Sequence, residues 1–161
     1  MLFNLHAFGQ DEPVEGHVEQ SRKVPHCCGG MPLVLEVMGS CLSGKSVDEW
    51  ESALKRIEVI PNYEFLQVLK ISYDSLPDIH YKNLFLDIEC FFVGKDKDYV
   101  ITILDGCGYA TIDGLRTLMD RFLLTANKKL EMHQLLQDMG REIICQKSYD
   151  ETRKTQQTVV S

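Results

Sequence analysis

The sequence predicts a mainly α-helical protein, in which a helical bundle is followed by further helices and one small β-hairpin. Apolar residues recur along most of the chain at positions i, i+3, i+4 and i+7, the spacing of an amphipathic helix. Proline, glycine and N-capping residues divide these stretches into separate helices. Near residue 125 the pattern changes once, to a short apolar run and then to alternation, which indicates a hairpin.

Length and composition exclude several classes of protein. The chain has 161 residues, 44% of them hydrophobic, which is enough to bury a real core. Its net charge of −7 lacks the basic surface that a nucleic-acid binder needs. No apolar run approaches the roughly 20 residues that cross a bilayer. We therefore expect no membrane and no nucleic acid as partners, and a location in the cytoplasm or the nucleus.

The six cysteines predict reduced thiols. None forms a C-x-x-C pair, and the histidines do not stand at zinc-finger spacing from them. Small apolar surroundings and a chain without a secretory leader fit buried free thiols better than disulfides. The sequence predicts no metal site.

The first half of the chain predicts two well-marked helices. The first has Pro32 in its opening turn and ends near Gly44, with an apolar stripe of Val34, Val37, Met38, Cys41 and Leu42. The second opens with the capping box Ser46 and Glu49, and its apolar face is Val47, Trp50, Leu54 and Ile57. Upstream, Pro25 lies inside a possible helix over 17–28, which we expect to end early or to kink.

The second half predicts four more helices before the hairpin. Their apolar faces begin at Phe65, after Pro77, at Val100 and at Ile112. The segments 122–126 and 130–132 then read as two short strands. One further helix follows, with Leu135, Leu136, Met139 and Ile143 facing inward. Helices followed by a hairpin suggest a winged-helix arrangement. The polar segment 148–161 lacks periodicity, and we expect it to be a disordered tail.

Residues 39–46, GSCLSGKS, match the phosphate-loop pattern G-x-x-x-x-G-K-[ST]. A working loop follows a strand, whereas this segment completes the apolar stripe of a helix. We therefore expect Lys45 to lie in a connection between helices. Residues 84–89 resemble a second nucleotide motif, an apolar strand that ends in an acid, but their flanks favour a helix. An autonomous NTPase that uses 39–46 remains the alternative.

Several ordered motifs resemble one family. Residues 29–37, GGMPLVLEV, resemble the GLPL motif of plant nucleotide-binding, leucine-rich-repeat disease-resistance proteins, and 48–54 and 68–76 match the blocks that follow it. Residues 85–92, FLDIECFF, look like the version of members with an N-terminal TIR domain. Residues 132–134, MHQ, stand where the family has MHD. The resemblance covers roughly residues 2–147.

The resemblance implies an architecture and a ligand. Residues 1–12 would be the end of the nucleotide-binding core, 13–61 the helical subdomain and 62–147 the winged-helix subdomain. In the family these subdomains (the NB-ARC module) close over ADP, and exchange for ATP triggers signalling. The GLPL proline lies near adenine and the MHD histidine near the phosphate, so Pro32 and His133 are the expected nucleotide contacts. The other motif positions are Gly30, Met31, Leu33, Met132 and Gln134.

Two departures from the family pattern bear on mechanism. Gln134 replaces the aspartate of MHD, which removes a negative charge from that motif. Glu89 replaces an alanine on a face predicted to be partly buried, so its carboxylate must reach solvent, find a partner or take up a proton. The motifs predict a truncated fragment without the phosphate-loop domain.

Such a fragment is expected to be non-catalytic and to bind no nucleotide tightly alone. Its expected partners are other NB-ARC, leucine-rich-repeat or TIR-containing proteins. A winged-helix DNA-binding protein is the further alternative, which the acidic charge disfavours.

Overall fold

The computed structural model describes residues 2–10, 12–27, 31–60 and 64–160, which are predominantly helical. The helices of the first half are α1 Leu2–Phe8, α2 Val18–Cys27, α3 Pro32–Leu42 and α4 Val47–Glu58. Those of the second half are α5 Phe65–Asp74, α6 Ile79–Asp87, a π-helical segment Ile88–Phe92, α7 Lys97–Gly106, α8 Thr111–Asp120 and α9 Gln134–Val160. Strands β1 Thr125–Ala126 and β2 Leu130–Glu131 form an antiparallel hairpin between α8 and α9. The mainly α fold with a small hairpin is confirmed.

The signals at both ends of α3 and at the start of α4 act as predicted. Pro32 occupies the first turn of α3, where a missing N–H costs no hydrogen bond. Gly44 adopts φ +73°, a conformation that glycine takes without strain, and so turns the chain after the helix. The Ser46 side chain accepts from the Glu49 N–H, and the Glu49 carboxylate accepts from the Ser46 N–H. Trp50 is buried and donates its indole N–H to the Leu42 carbonyl, which ties the two helices together.

Helix α2 does not stop before its proline. It includes Pro25 and continues to Cys27, so it does not end early, and a kink at Pro25, the other expected outcome, stays a prediction. Pro25 lies in the last turn, where only one intrahelical hydrogen bond is lost and little helix remains to be disturbed. Residues 28–30 and 61–63, which include part of the GLPL motif and the predicted break at Pro61 and Asn62, lie outside the described residues.

Helix α1 packs closely on α3 because a glycine stands at their contact. A Cβ built on Gly39 would come within 2.8 Å of the His6 Cβ and 3.1 Å of the Phe3 carbonyl oxygen. Phe3 and Ala7 are buried on this face, and Phe3 packs edge-on against Trp50. The segment that matches the phosphate-loop pattern therefore begins inside a helix–helix contact.

The second half has the winged-helix order of helices and hairpin. In the hairpin Thr125 pairs with Glu131 and Ala126 with Leu130. The chain after the π-helical segment runs along the hairpin's outer edge, where the Gly94 N–H donates to the Leu130 carbonyl and the Leu130 N–H donates to the Lys95 carbonyl. Strand β2 is thereby hydrogen-bonded on both sides, to β1 and to residues 94–95, and its inward residue Leu130 is fully buried.

The expected disordered tail is instead helical. Helix α9 continues without a break from Gln134 to Val160, although the side chains of residues 145–159 are exposed. Gln146 donates to Asp150 one turn later, and the hydroxyls of Thr152 and Thr155 donate to carbonyls four residues upstream. Such local bonds need no apolar stripe, so the periodicity of the sequence could not reveal this extension.

Candidate functional site

Pro32 lies on the surface at the first position of α3. Met31 precedes it in an extended conformation (φ −71°, ψ 121°) and supplies no side-chain cap to the helix. Met31 and Leu33 are half-buried and pack against the core, so they hold the exposed proline ring in place. Gly30, the remaining motif residue, lies outside the described residues.

His133 caps α9 with its own ring. Its Nδ1 accepts a hydrogen bond from the Leu135 N–H at 3.1 Å, and its carbonyl oxygen accepts from the N–H groups of Leu136 and Gln137. Because Nδ1 is an acceptor here, the ring proton sits on Nε2 in the neutral form. The exposed imidazole therefore has one N–H donor, at Nε2, to offer a ligand.

The residue before His133 is fixed from both sides. Met132 is 7% exposed and belongs to the main core cluster. The Gln137 side-chain amide donates to the Met132 carbonyl at 2.9 Å, which bridges the end of β2 to the first turns of α9. The histidine backbone consequently has little freedom, and its ring projects from a rigid junction.

Gln134 begins a polar ladder along α9. Its amide donates to Asp138 Oδ1 at 2.9 Å, and Asp138 Oδ1 lies 3.6 Å from Arg141 Nη1. Arg141 Nε in turn lies 3.3 Å from Glu89 Oε1 in the π-helical segment. The ladder therefore joins the motif that carries His133 to the segment that carries Glu89. An amide at position 134 donates to Asp138, which an aspartate could not do.

The sequence predicted that the Glu89 carboxylate would reach solvent, find a partner or take up a proton. The structure shows that it has a partner, Arg141. The Glu89 side chain is 4% exposed and pairs with Arg141, whose side chain is 61% exposed. Gly140 makes room for it: a Cβ there would lie 2.8 Å from Glu89 Cγ. Sequence reasoning missed Arg141, since nothing in the spacing of residues 89 and 141 predicts a contact.

Next to Glu89, the Cys90 Sγ lies 3.5 Å from Glu89 Oε2. The pKa of the Cys90 thiol is raised, mainly by its partial burial and secondly by the nearby Glu89 carboxylate. A raised pKa keeps the thiol protonated, so Cys90 is a poor nucleophile.

Residues 39–46 lack the geometry of a phosphate loop. The Ser43 N–H donates to the Gly39 carbonyl and the Lys45 N–H donates to the Leu42 carbonyl. These amides complete the end of α3 and are not turned toward a common centre where a phosphate could sit. The Lys45 carbonyl oxygen lies 3.2 Å from His17 Nε2, which fixes the connection to α2. The prediction that this segment is a helix end and a helix start is confirmed.

The Walker-B-like residues 84–89 also lie in helical structure, as predicted. Asp87, the acid at the end of this run, accepts a hydrogen bond from the Tyr109 hydroxyl at 2.6 Å. The pKa of Tyr109 is raised to about 12, mainly by partial burial and secondly by the hydrogen bond to the Asp87 carboxylate. The carboxylate thus joins the end of α6 to the connection between α7 and α8.

The motif residues form two groups. Met31, Pro32 and Leu33 lie at the start of α3, and Met132, His133 and Gln134 lie at the start of α9. Helix α5 packs against both α3 and α9 and so lies between the two helices. Within the described ranges, no group of three histidine, cysteine or acidic residues could hold a metal ion. Nor does any helix in them combine the length and the apolar character needed to cross a membrane.

Comparison with known sequences places these features in one family. Residues 78–148 match the family described as Disease resistance protein Roq1-like, winged-helix domain. The chain is 42% identical over 154 residues to Disease resistance protein RUN1 of Vitis rotundifolia, which covers 95% of this chain and 12% of that protein. It is 39% identical to TMV resistance protein N of Nicotiana glutinosa, over 89% of this chain and 13% of that protein.

A third relative extends the match to nearly the whole chain. Disease resistance protein RRS1B of Arabidopsis thaliana is 39% identical over 159 residues, which is 98% of this chain and 11% of that protein. The chain thus spans about a tenth of the length of the curated relatives that it matches. Its residues 78–148 are a winged-helix domain of the Roq1-like type, and the chain belongs to the plant disease resistance protein family.

Proposed function

We propose that this chain serves as the lid of an adenine-nucleotide switch in a disease resistance protein. In that role Pro32 faces the base and His133 faces the phosphates of ADP. The observation that carries the proposal is the His133 ring, which is exposed, held by its own helix through Nδ1 and left with Nε2–H as its donor. Because the ring is already held in one orientation, it would lose little side-chain entropy on binding an anion.

The chemistry at His133 suits a diphosphate. A neutral Nε2–H that donates to a phosphate oxygen forms a charge-assisted hydrogen bond, worth about 1.5–3 kcal/mol. The first-turn amides of α9 add the favourable field of a helix N-terminus. Gln134, which takes the place of an acid, bonds to Asp138 and brings no negative charge toward the ligand. A lid with glutamine at position 134 is therefore better suited to an anion than the same lid with aspartate there would be.

We propose that the lid is non-catalytic. In the proposed lid, Pro32 and His133 contribute only base-facing and phosphate-facing contacts. The Ser43 and Lys45 amides that a phosphate loop would use are bonded within the chain, which supports this reading. Nucleotide held by this chain alone would be bound weakly, because about one hydrogen bond and one apolar contact oppose the full entropic cost of association.

We propose further that the chain's partners are the other domains of such proteins. Exposed apolar side chains stand on several faces: Leu5 on α1, Phe91 in the π-helical segment and Ile112 on α8. Burial of these side chains against a neighbouring domain would remove their apolar surface from water, which supports the proposal.

A nuclear magnetic resonance titration of the isotope-labelled chain with ADP tests the proposed lid. We expect amide shifts around Met31–Val34 and around Met132–Gln137 at millimolar ADP. Adenosine should move only the first group and pyrophosphate only the second. Shifts centred on Gly44–Ser46 that disappear in Lys45→Ala would overturn the proposal in favour of a phosphate loop. So would the absence of any ADP-dependent shift in both motif groups.

A further inference from the structure

The turn Asp120–Phe122, here called the junction turn, connects α8 to the hairpin and contacts the other subdomain. The Ser40 hydroxyl, on α3, donates to the Asp120 carbonyl at 2.6 Å. Asp120 is the last residue of α8, so its carbonyl has no partner further along its own helix. The end of a winged-helix element is therefore completed by a residue of the helical subdomain.

The second contact is made at the hydroxyl of Ser75, the residue that follows α5. Ser75 Oγ donates its only proton to the Ser72 carbonyl at 2.8 Å. Its two remaining contacts must be accepted bonds: one from Arg121 Nη1 at 3.0 Å, and one from the Cys41 thiol at 3.3 Å. Arg121 also places a positive charge at the C-terminal end of α5, where the helix macrodipole favours it. One hydroxyl thus joins α3, α5 and the junction turn.

The third contact involves a strained residue. Phe122 adopts φ +57°, and among the described residues it alone combines a positive φ with a side chain. Its ring packs edge-on against the His6 ring of α1, with centroids 4.5 Å apart. A non-glycine residue keeps such a conformation only where its surroundings hold it there. Here the Phe122 N–H donates to the Met119 carbonyl and the Leu123 N–H donates to the Leu118 carbonyl, the pair of bonds that holds a left-handed residue at the end of a helix. The ring so placed meets His6 across the subdomain boundary.

The junction turn is rigidly connected to His133. The Leu123 N–H donates to the Leu118 carbonyl, and Leu123 and Leu124 are buried directly after the turn. The hairpin follows, with Leu130 buried, and then Met132, the residue before His133. The turn is therefore linked to the histidine through residues that are buried in the core: Leu123, Leu124, Ala126, Leu130 and Met132.

We propose that the junction turn positions His133 relative to Pro32 by fastening the winged-helix subdomain to α1 and α3. Ser40, Arg121 and Phe122 are positioning residues, which act on the lid without touching a ligand. The inference rests on the proposed function for its meaning, since it concerns the spacing of the two lid positions. When the three contacts break, the winged-helix subdomain moves as one body relative to α1 and α3 and carries His133 away from Pro32.

Residual dipolar couplings of backbone N–H groups in a weakly aligned sample test this directly, because they report the relative orientation of rigid parts. In the unmodified chain, couplings from α3–α4 and from α6–α9 should fit one alignment tensor. In the double variant Ser40→Ala, Arg121→Ala the single-tensor fit should be lost, while each subdomain still fits a tensor of its own. A role in stability alone would not separate the tensors.

Matched controls are Ser43→Ala, at the end of the same α3, and Arg116→Ala, exposed on the same α8. Both should keep the single tensor. If the double variant does not fold, the single variant Ser40→Ala takes its place. It should also worsen the fit of the couplings to one tensor, by a smaller amount. One tensor in all variants would overturn the proposal, as would equal changes in the controls. The measurement uses no nucleotide, so a failed ADP titration would remove the proposed ligand without changing this result.

Discussion

Alanine at position 140 should destabilise the unmodified chain and stabilise a chain that lacks Glu89. In the unmodified chain the new Cβ would come within 2.8 Å of Glu89 Cγ and 3.4 Å of Glu89 Cβ and Cδ. Glu89 would have to move away from Arg141, and overpacking of this kind costs about 1–3 kcal/mol. Alanine in place of glycine inside a helix returns about 1 kcal/mol. The net expected cost is therefore about 1 kcal/mol.

In the Glu89→Ala background the closest contact is removed, although the two Cβ atoms remain 3.4 Å apart. Gly140→Ala should then stabilise the chain by at most about 1 kcal/mol. The two backgrounds should differ by about 2 kcal/mol, which for a chain of this size corresponds to a shift of about 4–8 °C in Tm.

Urea unfolding of the four proteins of this cycle measures the difference. Gly106→Ala, where an added Cβ meets nothing within 4 Å, controls for the effect of replacing a helical glycine by alanine. If Gly140→Ala has the same effect on unfolding free energy in both backgrounds, Glu89 does not fill the space above Gly140, and the account of this contact is wrong.

Three further perturbations follow from the structure. Gly39→Ala should cost about 1–3 kcal/mol because its Cβ meets the backbone of α1, whereas Gly106→Ala, with open space around it, should not destabilise; urea unfolding compares them. The hydrogen bonds from the backbone and the side chain of Ser46 lower the pKa of Glu49 in the folded protein. The ionised Glu49 therefore stabilises the fold above pH 4.5, and this stabilisation is lost as the pH falls through the pKa that Glu49 has in the folded protein. Glu49→Gln should therefore flatten the acid limb of a stability–pH curve, and an unchanged limb would contradict the capping box. Tyr109, with its pKa raised to about 12, contributes stability that is complete below pH 10 and lost toward pH 12; Tyr109→Phe should remove part of that alkaline loss, and thermal unfolding at several pH values checks it.

The local parts of this fold could be predicted because their signals lie within a few residues of one another. The helix α3 and the capping box of α4 follow from spacing and from Pro32, Gly44 and Ser46. The hairpin follows from the change of period near residue 125. In each case the pattern itself determines which face can be buried.

The parts that could not be predicted depend on contacts distant in sequence or on exposed helix. Glu89 and Arg141 are 52 positions apart and meet only after the π-helical segment has packed on α9. Ser40 and Asp120 are 80 positions apart. The extension of α9 beyond residue 148 has no buried face, so its residues show no period that could reveal it. The same holds for the cap that His133 provides, since histidine is not among the usual N-capping residues.

We propose that phosphate recognition in this chain belongs to His133 and not to Lys45. The most direct test compares the affinity for ADP of the unmodified chain, His133→Ala and Lys45→Ala by one titration method at one salt concentration. We expect His133→Ala to weaken binding about tenfold or more, which is the loss of one charge-assisted hydrogen bond, and Lys45→Ala to leave it unchanged. The reverse order, with binding lost in Lys45→Ala and kept in His133→Ala, would contradict the account.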